Sequence, residues 1–454
     1  MARPPRAVFV TLATSVALAG LVTGAQAVPG QSQSDAGTTA APLVLPPAQT
    51  AGVTPTAAGV QKALAAALKD PSLGKHSGAY VYDASRGKAV FSTGTAGPFV
   101  PASTMKLLTT VSALATLGPD HWFTTNTVSP SSGSVILVGG GDPLLTTKRP
   151  TDPLDFPARA SLQDLATSTA NALRAKGVLS ISLGYDAGLF TGPAANPKWQ
   201  PNYLTEGIAA QTSALWVDEG RVQPGLAKRA ASPAQAAATA FAALLRANGI
   251  KVAASIKPAT ATTAAAGLAQ VRSASLGDIV EYINLHSDND GAEVLLRQVG
   301  LATDNGGSFT GGVKGVRDTL TELGLDVSKA RIEDGSGLSR TNQVPLDLLA
   351  GAVRVAVAKP ELRHLISGLP VAGFTGSLED RFAGPGTGPG TGLARAKTGT
   401  LTSVHSLAGL VRDRTGTILV FAVATDSAPP AKALAARAAL DRAVAALANC
   451  GCAG

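Results

Sequence analysis

The chain has 454 residues, of which 45% are hydrophobic, 15% are charged and 4% are aromatic. These values exclude a disordered chain, and the length predicts two or three domains with a large buried core. The net charge of +8 comes from lysines and arginines that are scattered singly. Without a basic run it argues against nucleic-acid binding, whereas it suits association with an anionic cell-wall or membrane surface.

Residues 1–27 have the order of a secretory signal peptide. Arg3 and Arg6 precede the apolar run AVFVTLATSVALAGLVTG, and the small residues AQA end at Ala27. We expect cleavage after Ala27. The alternative is an uncleaved membrane anchor, because the run is close to the ~20 residues that span a bilayer. In both cases the sequence predicts an exported protein, placed in the periplasmic space, in the cell wall or in the medium.

The remaining chain predicts an α+β fold with a large inserted α/β domain. Residues 28–56 are a Pro/Ala/Thr-rich flexible linker, and 57–70 are helical before a predicted hairpin. Three strand-like runs (LARAKTGTL, SVHSLAGLVRD and TGTILVFAVATD) and a closing helix lie near the C-terminus. Residues 57–128 and 270–454 therefore predict one five-stranded antiparallel sheet flanked by helices.

The inserted domain is predicted at residues 129–269. There, strand-like runs (SVILVGG, VLSISLGYD and SALWVDE) alternate with two Ala-rich helices. The only cysteines, Cys450 and Cys452, are too close in sequence to join distant parts of the fold, and no histidine beside them indicates a metal site.

Ser-x-x-Lys occurs at positions 72, 85 and 103, and only the third example begins a predicted helix. There Ser103 and Lys106 share one helix face, so the lysine nitrogen can reach the serine hydroxyl. Free N–H groups at the helix start suit a developing oxyanion, and the apolar neighbours Leu107 and Leu108 favour a neutral amine that can act as a base. The alternative is that Ser103 lies near a helix cap and that Lys106 extends to water.

Two further motifs follow in the chain. Ser287-Asp288-Asn289 lies between two helical runs, and Lys397-Thr398-Gly399 lies on a predicted strand. A glycine inside a strand indicates the close approach of another backbone or of a ligand, and a lysine with hydroxyl groups can receive a carboxylate. Each motif alone also fits a solvated turn or an edge strand.

Together the three motifs resemble those of penicillin-binding enzymes and serine β-lactamases. With the segments LVGGGDPLL, EDGSGLSRTN and LPVAGFTGSLEDRF, and with the large insert, the chain is similar to the penicillin-binding protein 4 type of D-Ala-D-Ala carboxypeptidase, serine peptidase family S13. The resemblance implies a β-lactamase/transpeptidase-like domain, peptidoglycan stem peptides as substrates and β-lactams as inhibitors. No motif in the sequence points to a metal or an organic cofactor.

The resemblance also implies the roles of the motif residues. Ser103 would be the acylated nucleophile, Lys106 its general base and Ser287 the proton relay to the leaving amine. Asn289 would bind the substrate amide.

On the strand, the resemblance implies that Lys397 and Thr398 hold the proton relay and the terminal carboxylate, within the Lys-Thr-Gly motif that Gly399 completes. The N–H groups of Ser103 and Thr400 would form the oxyanion hole. Arg340 and Trp199 are candidates for contacting the stem-peptide side chain, with a purely structural role as the alternative.

Two other functions remain open from the residues. A class A β-lactamase needs a glutamate that primes the deacylating water, and the nearest pattern, TELGLD, has Asp326 where asparagine would stand. A catalytically inactive wall-binding module is the second alternative. The sequence leaves carboxypeptidase versus endopeptidase preference and the oligomeric state undetermined.

Overall fold

The computed structural model describes residues 54–94, 97–152 and 154–453. The predicted signal or anchor and residues 28–53 of the predicted linker lie outside the described residues, so both stay predictions. Among the helices that are described, none is long and apolar enough to cross a membrane.

The secondary structure alternates between strands and helices along the chain. The strands are β1 (Ser77–Asp83), β2 (Lys88–Thr93), β3 (Thr124–Ser129), β4 (Ser134–Val138), β5 (Ser180–Asp186), β6 (Lys251–Pro258), β7 (Ala266–Arg272), β8 (Ala394–Leu401), β9 (Val404–Arg412) and β10 (Ile418–Thr425). The helices are α1 (Ala57–Leu68), α2 (Lys106–Leu117), α3 (Leu162–Ala175), α4 (Asn202–Thr205), α5 (Pro233–Ala247), α6 (Leu276–His286), α7 (Asn289–Ala302), α8 (Phe309–Glu322), α9 (Leu346–Ala358), α10 (His364–Ser367) and α11 (Ala433–Ala448).

The first sheet has the strand order β2-β1-β10-β9-β8, and every pair in it is antiparallel. Two of its strands come from the N-terminal part and three from the C-terminal part, which confirms the predicted five-stranded antiparallel sheet. Side chains alternate between its two faces. Phe421 of β10 packs into the core on one face, whereas its neighbours Val420 and Ala422 pack into the core on the other.

The terminal helices α1 and α11 cover one face of this sheet, as the sequence predicts. The C-terminal residues lie against the start of α1, where the N–H of Thr56 donates to the carbonyl of Cys452 over 2.8 Å. Cys450 and Cys452 form a disulfide. Because the two residues are two positions apart, this bond joins no distant parts of the fold, in agreement with the sequence.

Helices α2, α6, α7, α8 and α9 form the core on the other face of the first sheet. Helix α2 is surrounded by them, and its residues from Lys106 to Leu114 are all buried. A helix that is buried on all sides cannot turn a charged side chain to water. Lys106, the first residue of α2, therefore has to find its polar partners inside the protein.

A second sheet, with the order β6-β5-β4-β3-β7, lies in the region of the predicted insert. The pairs β4–β5 and β5–β6 are parallel, and α3 and α5 pack on the sheet through a separate core. Together, these elements extend from Thr124 to Arg272. The described residues belong to a single compact unit, so the predicted division at 129 and 269 stays a prediction.

One predicted strand of the insert is wrong. SALWVDE forms no strand. Leu215 and Trp216 are both buried there, and the Trp216 indole donates to the carbonyl of Asp142 over 3.1 Å. A short apolar run indicates burial, which this irregular segment shares with the buried strands β9 and β10. The sequence did not single out β3, β6 and β7 as strands, and β6 and β7 carry mostly exposed or half-buried residues.

His405 of β9, which is 3% exposed, contributes to the pH dependence of stability. Burial and the charges of Arg437 and Arg381 lower its pKa to about 4. An unfolded histidine titrates near pH ~6.5, so below that pH the unfolded chain binds a proton that the folded chain does not. The contribution of His405 to the free energy of unfolding should therefore fall as the pH drops from 6.5 toward 4.

We predict that His405→Leu removes this component. Between pH 7.5 and pH 5 the wild type should lose about 1–2 kcal/mol more unfolding free energy than the variant, measured by urea denaturation at both pH values. The substitution also changes core packing, but this effect is the same at both pH values. It therefore cancels when the two unfolding free energies of one protein are subtracted. An equal loss in the two proteins would contradict the assignment to His405.

Candidate active site

The nucleophile candidate, Ser103, lies in a 3₁₀ turn (Ala102–Met105) that leads directly into α2. We call these four residues the nucleophile turn. The residue before it, Ala102, has φ of 48°, a left-handed conformation that is strained for a residue with a side chain. Gly337 leaves the space for it, since a Cβ on Gly337 would lie 1.8 Å from the Ala102 carbonyl oxygen. Close packing against the 333–342 loop therefore supports the strained turn that presents Ser103.

Lys106 is fully buried and its amine contacts three oxygen atoms. Nζ lies 3.0 Å from Oγ of Ser103, 2.8 Å from Oδ1 of Asn289 and 2.8 Å from the carbonyl oxygen of Ser336. Burial lowers the pKa of Lys106 to about 8, and nearby carboxyl groups, Asp288 foremost, limit the decrease. This lowered pKa agrees with the predicted shift toward a neutral amine, and the amine is within hydrogen-bond distance of the serine hydroxyl.

The Ser287–Asn289 turn joins α6 to α7 next to this amine. Ser287 has a left-handed conformation with φ of 57°, and the Asp288 carboxylate caps α7 by accepting from the N–H groups of Asp290 and Gly291. This reversal places Asn289 at the start of α7, where its Oδ1 contacts Lys106 and its Nδ2 donates to the carbonyl of Ile208 over 3.0 Å. Ser287 is half-buried on the same turn.

The Lys-Thr-Gly motif lies on β8, at the edge of the first sheet. Lys397 is fully buried, and burial together with the charge of Lys106 lowers its pKa. A Cβ on Gly399 would lie 2.5 Å from the carbonyl oxygen of Pro101, just before the nucleophile turn. The close approach of another backbone to Gly399 is therefore confirmed, and Thr400 follows as an exposed residue.

These contacts combine a serine hydroxyl, a buried amine with a lowered pKa and a second buried lysine. A hydroxyl beside a base of this kind is an activated nucleophile, suited to acyl transfer through a covalent intermediate. The sequence profile of the D-Ala-D-Ala carboxypeptidase 3 (S13) family matches residues 60–232 and 225–447. The chain belongs to the S13 family.

Individual relatives agree with this membership. Carboxypeptidase DacB of Mycolicibacterium smegmatis is 35% identical over 98% of this chain and 96% of its own length. The D-alanyl-D-alanine carboxypeptidase of Actinomadura sp. (strain R39) is 30% identical over 76% of this chain and 77% of its own. The crystal structure of penicillin-binding protein 4 from Haemophilus influenzae has a TM-score of 0.69 at 21% identity, covering 84% of this chain and 97% of that one. It therefore supports the predicted β-lactamase/transpeptidase-like fold.

Trp199 and Arg340 have contacts that favour the structural alternative. Trp199 is 8% exposed, and its indole N–H donates to the Asp334 carboxylate over 2.9 Å. Arg340 is half-buried and donates to the carbonyl of Thr402, in the turn between β8 and β9. Both residues therefore stabilise segments next to the candidate active site. A contact of either residue with the substrate stays a prediction.

Sequence reasoning missed several supporting residues of this S13 site. The Ser336 carbonyl accepts from Lys106, and the buried Glu293 carboxylate fixes that loop by accepting from the N–H groups of Gly335 and Ser336. The Ser377 hydroxyl accepts from Thr398 over 2.7 Å. Ser336 and Ser377 lie in EDGSGLSRTN and LPVAGFTGSLEDRF, so the signal was present, although nothing in those segments indicated which atoms face the site.

Gly337→Ala should disturb the nucleophile turn. Its φ is +86° and its Cβ would meet the Ala102 carbonyl, whereas Gly306 has a similar φ of +83° and open space around it. We expect Gly306→Ala to cost about 1–2 kcal/mol of unfolding free energy from backbone strain alone. Gly337→Ala should cost about 1–3 kcal/mol more, and should slow acylation of Ser103 by benzylpenicillin at least ~10-fold because the turn must move.

Urea denaturation and the acylation rate, measured for both glycine variants, check this expectation. Equal effects of the two substitutions would show that the Gly337–Ala102 contact does not support the turn.

Proposed function

We propose that this chain is a serine-type D-Ala-D-Ala carboxypeptidase that acts on peptidoglycan stem peptides through an acyl-enzyme on Ser103. The observation that carries the proposal is the buried Lys106 amine, 3.0 Å from the Ser103 hydroxyl and with its pKa lowered to about 8. Membership of the S13 family supports the same reaction and substrate class.

In the proposed acylation step, the neutral Lys106 amine accepts the proton of Ser103 while Oγ attacks the carbonyl carbon of the penultimate D-alanine. The N–H groups of Ser103 and Thr400 stabilise the oxyanion. The C–N bond then breaks, and the proton reaches the leaving D-alanine amine through Ser287. Water hydrolyses the ester and restores the Ser103 hydroxyl. Asn289, which already contacts Lys106, holds the substrate amide.

We assign the terminal carboxylate of the substrate to β8. A carboxylate suits Lys397, because a nearby anion favours the charged form of an amine whose pKa burial has lowered. Thr398 belongs to the same subsite, with its hydroxyl oriented by Ser377. A β-lactam carries a carboxylate and a strained amide in a similar relation, so penicillins should acylate Ser103 and block the site. The H. influenzae protein has also been solved in complex with a β-lactam.

The β-lactamase alternative receives less support. A deacylating glutamate would have to be free to activate water, whereas the buried Glu293 near Lys106 already accepts from the N–H groups of Gly335 and Ser336 and is committed to the 333–342 loop. The acyl-enzyme formed with penicillin should therefore persist. Export is part of the proposal, because peptidoglycan lies outside the cytoplasm, while the signal or anchor at residues 1–27 and any association with the wall or membrane surface stay predictions.

Incubation of the purified protein with benzylpenicillin should add one penicilloyl group, mapped by mass spectrometry to Ser103 and absent from Ser103→Ala. The wild type should also release D-alanine from a peptide ending in D-Ala-D-Ala, and the variant should lose this activity at least ~10³-fold. Cross-linked muropeptide dimers in the same assay test endopeptidase activity.

The other results of this experiment are equally informative. An unmodified wild type with intact penicillin would refute the proposed enzyme in favour of a binding module. An unmodified wild type with hydrolysed penicillin would favour the β-lactamase.

The role of Lys106 as a base predicts a pH dependence. Because only the neutral amine accepts a proton, the acylation rate should rise with pH and reach half its maximum near pH 8, the pKa of Lys106. Lys106→Met should lower the rate by about 10²–10⁴-fold and abolish this rise. The control is Lys88→Met, which changes the lysine of the Ser-x-x-Lys at position 85, where the side chain is exposed on β2. It should react within about two-fold of the wild type, and a similar result for Lys106→Met would remove the base assignment.

A further inference from the structure

The outer side of the Ser287–Asn289 turn is covered by residues 208–229, a segment that lies between α4 and α5 in the predicted insert. The carbonyl of Ile208 accepts from Nδ2 of Asn289 over 3.0 Å. The N–H of Ala210 donates to Oδ1 of Asp290 over 2.6 Å. The 208–229 segment thus contacts two consecutive residues in the first turn of α7, one of which contacts Lys106.

Arg229, the last residue of this segment, forms a buried ion pair with the second carboxylate oxygen of Asp290. Nη2 of Arg229 lies 2.6 Å from Oδ2 of Asp290, and the two side chains are 7% and 3% exposed. Arg229 is itself oriented by Nη1, which donates to the carbonyl of Glu219 over 2.9 Å. Both oxygens of Asp290 are therefore bound by the 208–229 segment, one by a backbone N–H and one by a guanidinium.

Arg229 lies beside three carboxyl groups that are close together, so its positive charge reduces their mutual repulsion. The carboxyl groups of Glu219, Asp288 and Asp290 have oxygens within 4.8 Å of one another. Arg229 supplies positive charge to two of them, since it also lies 3.7 Å from Glu219. Arg221 of the same segment lies closer to Glu219, with Nη2 2.9 Å from its carboxylate. We therefore assign the balancing charge to these two arginines and propose no cation there. Burial raises the pKa of Asp290 to about 6, and Arg229 is the first of the charges that oppose the increase.

We propose that Arg229 is a positioning residue of the active site, which acts through Asp290 to hold Asn289 against the Lys106 amine. This inference rests on the proposed function. Asn289 and Asp290 are adjacent in the first turn of α7, so a displacement of one moves the other. Removal of a guanidinium from a buried pair leaves a carboxylate that must be protonated or must move toward water. Lys106 would then lose the Asn289 oxygen and with it the geometry that directs it to Ser103.

The test compares full-length wild type with Arg229→Met, which keeps the length of the side chain, and with Arg229→Lys, which keeps the charge. For D-alanine release, Arg229→Met should lower kcat at least ~10-fold. KM should rise as well, because the displaced Asn289 is also the residue assigned to hold the substrate amide. Acylation of Ser103 by benzylpenicillin should slow to the same extent. Arg229→Lys should recover a rate within about five-fold of the wild type.

The matched control is Arg381→Met. Arg381 and Asp441 form a pair that is also buried, 6% and 8% exposed, on the face of the first sheet that α11 covers. Its loss should destabilise the protein to a similar degree in urea denaturation and leave kcat within about two-fold. If Arg229→Met and Arg381→Met reduced kcat equally, or if lysine gave no recovery, Arg229 would have only a structural role.

A crystal structure of the Arg229→Met protein gives a readout that requires no reaction. The distance from Asn289 Oδ1 to Lys106 Nζ, 2.8 Å in the wild type, should exceed 3.5 Å. An unchanged distance would overturn the positioning role. A wild type that formed no penicilloyl adduct would instead refute the proposed function, and this distance would still decide the inference about Arg229.

Discussion

The hydrogen bonds of the buried Lys106 amine are the interaction on which the candidate active site depends. An ammonium group taken out of water costs several kcal/mol unless it is compensated by hydrogen bonds and opposite charge. Its three oxygen partners come from three separate parts of the chain: the nucleophile turn, the start of α7 and the 333–342 loop. The fold must therefore bring all three together before the lysine can be buried. Once they are together, the amine has its lowered pKa and a fixed direction toward Ser103.

The partners of Lys106 are held in place by further polar contacts and by close packing in the core. The 333–342 loop is organised around Asp334, whose carboxylate accepts from the N–H groups of Gly337 and Ser339 and from the Trp199 indole. On the other side, Gly399 allows β8 to lie against the chain just before the nucleophile turn. The strained Ala102 is thus enclosed between a loop and a strand. Such a conformation persists only where its surroundings determine it.

The predicted insert contributes to the site without supplying any of the three motifs. Its second sheet packs through its own core, while the 208–229 segment extends to the first turn of α7 and binds both Asn289 and Asp290. Buried carboxylates so close together would repel one another unless positive charge were present. The arginines of the segment meet that requirement. Changes in the segment would therefore reach the active site through electrostatics and hydrogen bonds, although the segment lies behind the turn.

Much of this organisation could be predicted from the sequence. The apolar, strand-like runs LARAKTGTL and TGTILVFAVATD identified two strands of the first sheet, and the i, i+3 spacing of Ser103 and Lys106 at a helix start indicated that the two side chains could meet. These features are local, because an apolar run and a helix's periodicity depend on residues close together in the chain. Tertiary structure alone decided that the Ser336 carbonyl would be the third partner of Lys106, that Trp199 would brace Asp334, and that Arg229 would pair with Asp290. Those contacts join residues tens to hundreds of positions apart. A local sequence pattern cannot predict them, because it depends only on neighbouring residues and not on which distant polar atoms the fold brings next to a buried charge.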